Sequence, residues 1–337
     1  MLLEKLSNAI SPSGYEGEVR KIIIKEIEPY VDELFVDRMG NIIVHKRGNG
    51  KKVLVDAHMD EVGFIIIGYN DDGTLRFASL GGVNDKVPPC KVLYVGTNKV
   101  KGVVGLKPIH LQSKEDRNEG IGYDGLCIDI GAKDRLDAEK YVEIGDYAVF
   151  DTKFGYFGDG LVKGKAFDDR IGCFILIEAL KENYSCDLYG VFNVQEETGR
   201  RGAFGSSFKI NPEIGIALEG TVCADMPNVP EHISGTYLGR GPAISIMDGT
   251  SIYDASLREK IEETAKKNNI PCQNRRAVAG GNDAGSMHGV KGGCRVAAIS
   301  VPSRYIHSSV SAASISDIEN GKKLLIKFLQ AIVKEEI

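Results

Sequence analysis

Between Phe64 and Phe157 the chain is a succession of short β-rich runs, while the segments on either side alternate helical and strand periodicity. This break constrains the fold more than any other feature. F-I-I-I-G-Y, T-L-R-F-A-S-L, K-V-L-Y-V-G, V-K-G-V-V-G-L and Y-A-V-F-D-T follow one another across turn residues. The one long polar interruption is S-K-E-D-R-N-E-G. No helix is expected there, and the pattern predicts a small all-β domain. With 337 residues the chain has room for a second domain around it.

The flanks read as that second domain. Ser13 to Glu16 has the serine-to-glutamate spacing of a capping box and opens an amphipathic segment reaching about Val31. Two short strands are expected around a Gly40-Asn41 turn, followed by the buried strand K-K-V-L-V-D-A-H. Beyond Phe157, Arg170–Asn183 is helical in spacing. D-L-Y-G-V-F-N-V-Q, I-G-I-A-L-E and R-V-A-A-I-S-V-P are strands, and Y-D-A-S-L-R-E-K-I-E-E-T-A-K-K is a charged surface helix. A C-terminal helix is expected to begin at a second capping box, Ser316 to Glu319. An α/β domain interrupted by a β-rich insertion accounts for this order.

Composition closes off several classes. A net charge of −5 argues against a basic nucleic-acid surface. There is no run of eighteen apolar residues, and the start M-L-L-E-K-L-S lacks a basic leader before an apolar stretch, so no membrane span and a cytoplasmic location are expected. The seven cysteines form no C-x-x-C pair and read as free thiols, several of them buried.

Five places set metal-competent side chains at strand ends or turns. A-H-M-D-E-V-G places His58 and Asp60 after a buried strand, where a carboxylate can fix an imidazole tautomer, or where the two simply line a solvated turn. G-K-A-F-D-D-R-I-G puts Asp168 and Asp169 before a helix, as ligands or as dipole partners. In F-N-V-Q-E-E-T-G, Glu196 and Glu197 repel each other unless a cation lies near; otherwise the loop is an exposed acidic turn. Glu219 ends the apolar strand I-G-I-A-L-E, where a carboxylate is costly without a partner. His307 lies just past another apolar strand, as a ligand or a hydrogen-bonded structural group. Five separate coincidences are hard to sustain, and mixed imidazole and carboxylate ligands suit zinc, cobalt or manganese better than calcium. No G-x-S-x-G elbow or phosphate-binding loop competes, and Gly280–Gly285 lacks the dinucleotide fingerprint.

In this order, S-P-S-G-Y-E, A-H-M-D-E-V-G, K-P-I-H-L, K-A-F-D-D-R-I-G, Q-E-E-T-G, G-G-N-D-A-G and R-Y-I-H-S make the chain resemble the tetrahedral (TET) di-metal aminopeptidases nearly end to end. The resemblance implies an α/β zinc-peptidase-like catalytic domain, a mixed sheet flanked by helices, over residues 1–63 and 158–337. A β-barrel-like dimerisation domain over 64–157 would interrupt it. It implies two divalent metals per subunit, zinc or cobalt foremost and manganese as a further option. His58 and Glu219 would complete one metal site, Glu197 and His307 the other, with Asp168 bridging both. Asp60 would orient His58, and Glu196 would be the general base toward a metal-activated water. The family often carries aspartate where Glu219 stands; the longer side chain can still ligate. His110 and His288 would be structural or supporting groups. Short peptides with free N-termini would be the substrates, and dimers would assemble into a hollow tetrahedral dodecamer.

Two rivals follow from the same residues. An endo-β-glucanase is suggested by a label some family members carry, but glycoside hydrolysis needs two carboxylates flanking the bond rather than metals. The chain also has no tryptophan for a sugar platform. A non-catalytic scaffold of the same fold would most cheaply have lost Glu196, which is present. Lys86, Arg240 and Arg304 stand near the motifs and could favour acidic substrates or be solvated surface charges.

Overall fold

A computed structural model of the protein describes residues 1–114, 117 and 121–332, except for the side chain of His232. Of the polar break expected at 113–120, residues Glu115, Asp116, Asn118, Glu119 and Gly120 lie outside the described residues.

The apolar run after Gly50 forms strand β3 (Lys52–His58), as its length and β-branched content dictate. It lies in the middle of a large mixed sheet. Beside it are β1 (Glu33–Val36), β2 (Ile42–Lys46), β12 (Asp187–Asn193), β13 (Ile214–Val222), β16 (Arg295–Arg304), β17 (Ser311–Ser314), β11 (Leu161–Gly164) and β10 (Gly155–Phe157), in the order β1-β2-β12-β3-β13-β16-β17-β11-β10. β14 (Ala243–Ser245) pairs with β16, and β15 (Gln273–Arg275) pairs with β14. The centre is parallel: Asn193 stands opposite His58, and Glu219 opposite Ser300. β11 runs antiparallel to β17, and β17 antiparallel to β16, so β11 shares their direction.

Both faces of this sheet are covered, as a parallel sheet requires. Alternate residues of β3 go to opposite faces. Val53, Val55 and Ala57 join a core with the helix Phe167–Leu180 and the C-terminal helix Ile315–Ala331. Leu54 joins Val191, Ala217 and Val296 against the helices Arg201–Ile210 and Asp283–His288.

The β-rich segment closes on itself. β4 (Gly63–Tyr69), β5 (Leu75–Leu80), β6 (Val92–Val95), β7 (Val100–Leu106), β8 (Leu126–Asp129) and β9 (Tyr147–Phe150) form a closed antiparallel barrel. It has its own core, in which Phe64 meets Phe77 and Phe150 edge-on at 5.2 and 5.4 Å. Closure removes the unpaired edges that short strands would otherwise expose. Among the described residues the expectation of no helix is corrected by a single α-helical turn at Arg135–Ala138 capped by Asp134, and by 3-10 turns at Ile109–Leu111 and Tyr123–Gly125. β8, too short and too interrupted to read from periodicity, was not expected.

Neither capping box forms. The first helix of the pair begins at Gly17 without a side-chain cap. Ser13 Oγ instead donates to Asp60 Oδ2 at 2.6 Å, and Glu16 Oε1 accepts from Gly14 N and Gln195 N. Ser11 Oγ accepts from Val19 N in their place. At the C-terminal helix, Ser316 lies inside the first turn, which starts at Ile315. Asp317 accepts from Gly239 N and Gly241 N, both 2.7 Å away. At the first box long-range partners outcompete the local ones; at the second, Ser316 Oγ meets Ser314 Oγ at 2.8 Å and Glu319 pairs with Lys322 at 2.6 Å. All seven cysteines are free; Cys173, Cys186, Cys223 and Cys294 are buried and Cys90 is exposed.

Candidate functional site

Because β3, β11, β12, β13 and β16 run in one direction, whatever follows their last residues meets at one sheet edge, where ligands of open α/β sheets bind. His58 is the last residue of β3, and Asp168 follows β11 by four residues. Glu196 and Glu197 lie just past β12, Glu219 lies near the end of β13, and His307 lies just past β16. These strand ends gather all the expected side chains.

Two groups of side chains stand close enough to hold a cation each. One is His58, Asp168 and Glu219; the other is Asp168, Glu197 and His307; in each the donor atoms lie within 4.8 Å of one another. Asp168 belongs to both. Its Oδ1 is 3.4 Å from His58 Nε2, its Oδ2 is 3.4 Å from His307 Nε2, and Gly220 N donates to Oδ1 at 3.2 Å. Glu219 Oε2 is 3.7 Å from His58 Nε2, and Glu197 Oε2 is 3.4 Å from His307 Nε2. The Asp168-Asp169 peptide is cis.

Asp60 lies behind this set and is fully buried. It stands 3.4 Å from His58 Nδ1 and accepts hydrogen bonds from Ser13 Oγ, Glu196 N and Glu197 N. One carboxylate therefore ties the imidazole, the N-terminal segment and the Glu196-Glu197 loop together. The barrel also reaches in. Gly81 has φ of +85°, and a Cβ there would stand 3.1 Å from Glu197 Cβ, so the close approach of the β5–β6 loop depends on glycine.

The charges are strongly perturbed. Burial pushes the Glu196 and Glu219 carboxyls well above their ordinary range, with nearby carboxylates adding to the shift and His58 opposing it. Burial raises Glu197 to about 7. Burial also penalises charge on the imidazoles, but Asp168 and the other carboxylates outweigh it, lifting His58 well above its usual value and His307 to about 9. Burial opposes ionisation of Asp168, yet its two histidine partners hold it well below the carboxylate range. Glu197 Oε1 is buried with no hydrogen-bond partner. Repelling carboxyls, an unpartnered carboxylate oxygen and two imidazoles fit divalent cations, whose charge would offset these costs.

Other residues fall differently. His110 and His288 are exposed, and neither belongs to the two cation groups. Lys86 is exposed, Arg240 stacks on Tyr237, and Arg304 forms a two-point pair with Asp225 at 2.6 and 2.9 Å. Two groups escaped the sequence reading. Asp56 and Asp283 are buried and share Asn193 Nδ2 as donor at 2.7 and 3.0 Å. Arg275 lines the cleft of about 410 Å³ that opens beside Asp168, Glu196, Glu219 and His307. It lies on a three-residue strand with no apolar period to mark it.

Residues 40–324 match the family described as M42 glutamyl aminopeptidase. A lysyl aminopeptidase of Pyrococcus furiosus is 35% identical over 98% of this chain and 96% of its own length. The TET1 peptidase of Pyrococcus horikoshii, described as assembling into a tetrahedron or a large octahedral shell, superimposes with a TM-score of 0.87 at 33% identity over 97% of this chain and 98% of that one. A Thermotoga maritima structure that carries the name endoglucanase gives 0.81 at 36% identity over 98% and 99%. The chain belongs to the M42 aminopeptidase family. It is a metallopeptidase that hydrolyses peptide bonds, with candidate His/carboxylate metal groups at its strand ends. The glucanase alternative falls with that membership. Among the described residues no helix is long and apolar enough to cross a membrane.

Proposed function

We propose that the protein removes residues from free peptide N-termini in a site that holds two divalent cations per chain. The observation that carries this reading is the pair of three-residue groups sharing Asp168. His58, Asp168 and Glu219 would hold one cation, and Asp168, Glu197 and His307 the other. When bound, the cations supply Lewis acidity to water and to the scissile carbonyl. Zinc or cobalt suits the donor set best, with manganese a further candidate.

The chain's own groups then have distinct tasks. Glu196 lines the cleft but belongs to neither cation group, and its carboxyl has a raised proton affinity. It would take a proton from the attacking water and return it to the leaving amine. Asp60 would orient His58 and, through its two backbone donors, hold Glu196 in register. Residues 1–63 with 158–337 would be the catalytic unit, and 64–157 the unit building dimer contacts. The likeness to a TET peptidase supports assembly of such dimers into a tetrahedral dodecamer. A location in the cytoplasm accords with these features.

Metal titration by calorimetry tests the core of this reading. The native chain should bind two equivalents of zinc or cobalt, and Asp168→Asn should weaken both. One equivalent in the native chain, or a variant that retains both, would contradict it.

A further inference from the structure

Among the described residues, Arg275 is the one lysine or arginine lining the cleft. It ends β15, opposite Ser245, which also lines the cleft. Its guanidinium is held by neutral acceptors: Nε donates to Thr221 Oγ1 at 2.9 Å, Nη1 to Ala277 O and Nη2 to Ala279 O, both at 2.7 Å. A guanidinium has five N–H bonds, so Nη1 and Nη2 each keep one more. Three anchors fix the plane of the fork, which removes most of the side-chain entropy that binding would otherwise cost.

The anchor also sets its distance from the reacting groups. Thr221 is two residues beyond Glu219 on β13, so the two side chains share one face of the strand. Two residues of strand span about 7 Å. The other charged group of this wall, Asp248, is already saturated. Its Oδ1 accepts from Thr250 N, Thr250 Oγ1 and Ser251 N, and its Oδ2 from Tyr253 OH. Asp248 therefore turns inward and leaves the positive charge of Arg275 unanswered.

We infer that Arg275 is the receptor for a carboxylate carried by the peptide substrate. A planar fork with two free N–H bonds matches a carboxylate at two points, which an amide of the same shape cannot reproduce. The inference rests on the cleft being the peptide site proposed above. The carboxylate can come from an acidic N-terminal side chain or from the C-terminus of a very short peptide. Family membership does not decide this, since one relative is named for lysine and the family for glutamate.

The test uses holoenzyme and two matched substrate pairs: Glu-anilide against Gln-anilide for the side chain, and Ala-Ala against Ala-Ala-amide for the C-terminus. In the native enzyme kcat/KM should favour the acid of one pair by about 10-fold or more, the scale of a hydrogen bond to a charged group. The favoured pair identifies the source. Arg275→Met should abolish that preference, lowering kcat/KM for the acid member about 10-fold or more beyond any loss on its neutral partner, since the carboxylate contact is the one the two substrates do not share. Arg275→Lys keeps the charge without the fork, should show an intermediate preference, and provides the comparison if the Met variant fails to fold. No preference in either pair, a preference that survives the substitution, or an equal loss on all four substrates would overturn the inference. Hydrolysis of none of the four by native holoenzyme would overturn the aminopeptidase reading itself.

Discussion

At the residue scale the site is a problem of burying charge. Asp60, Asp168, Glu196, Glu197 and Glu219 crowd around two imidazoles, and the carboxyls whose proton affinity rises most are those without a strong local donor. Glu196 differs from its neighbours in standing in the cleft without belonging to a cation group. Glu196→Gln keeps its size and should lower kcat by about 10²- to 10⁴-fold, the range for removing a general base, while metal stoichiometry stays unchanged. A variant that keeps its activity would assign the proton to another group. Ser13 acts one contact further out, through its 2.6 Å bond to Asp60. Ser13→Ala should cost about 10- to 100-fold in metal affinity or activity, as removal of an outer hydrogen-bond partner does. An unchanged metal titration with unchanged kcat would make that bond merely structural. Most of the converging side chains were legible because each follows an apolar strand, a pattern visible without coordinates. Ser13 and Arg275 were not, because each acts through a partner distant in sequence: Asp60 for one, Thr221 for the other.

At the scale of elements, the parallel direction of β3, β11, β12, β13 and β16 brings these residues together. The apolar runs could be read as strands, and the barrel segment as β, because period and turn chemistry are local signals. Strand direction, the three-residue strands β14 and β15, and the failure of the first capping box could not be read, because each is decided by long-range pairing. A buried charge network welds two of the elements that carry the site. Lys165 Nζ donates to Glu61 Oε1 and Oε2 at 2.6 and 2.7 Å and to Ala9 O. Arg170 donates to Met59 O, Leu6 O and Ser11 O and meets Glu61 at 3.4 Å. Glu61 follows Asp60, and Lys165 and Arg170 bracket Asp168, so the network fixes one relative to the other. Lys165→Met leaves a buried carboxylate short of its nearest cation and should destabilise the fold by about 3–5 kcal/mol in denaturant melts. A loss below 1 kcal/mol would mean that Arg170 alone satisfies Glu61.

At the scale of the whole molecule, the barrel is more than an appendage. Its Gly81-Gly82 loop lies against Glu197 and His307, and the Tyr15 hydroxyl donates to Gly145 O, so the two cores are joined next to the site. Light scattering on the purified protein should find a dodecamer, and a monomer at micromolar concentration would contradict the proposed assembly. The central claim is metal-dependent removal of N-terminal residues. Its most direct test is hydrolysis of one short peptide, with a free and with an acetylated N-terminus, by metal-depleted enzyme before and after zinc or cobalt is restored. The account predicts no turnover without metal, release of single N-terminal residues from the free peptide once metal is restored, and a much lower rate on the acetylated one. Turnover that ignores metal, or equal cleavage of both peptides, would contradict it.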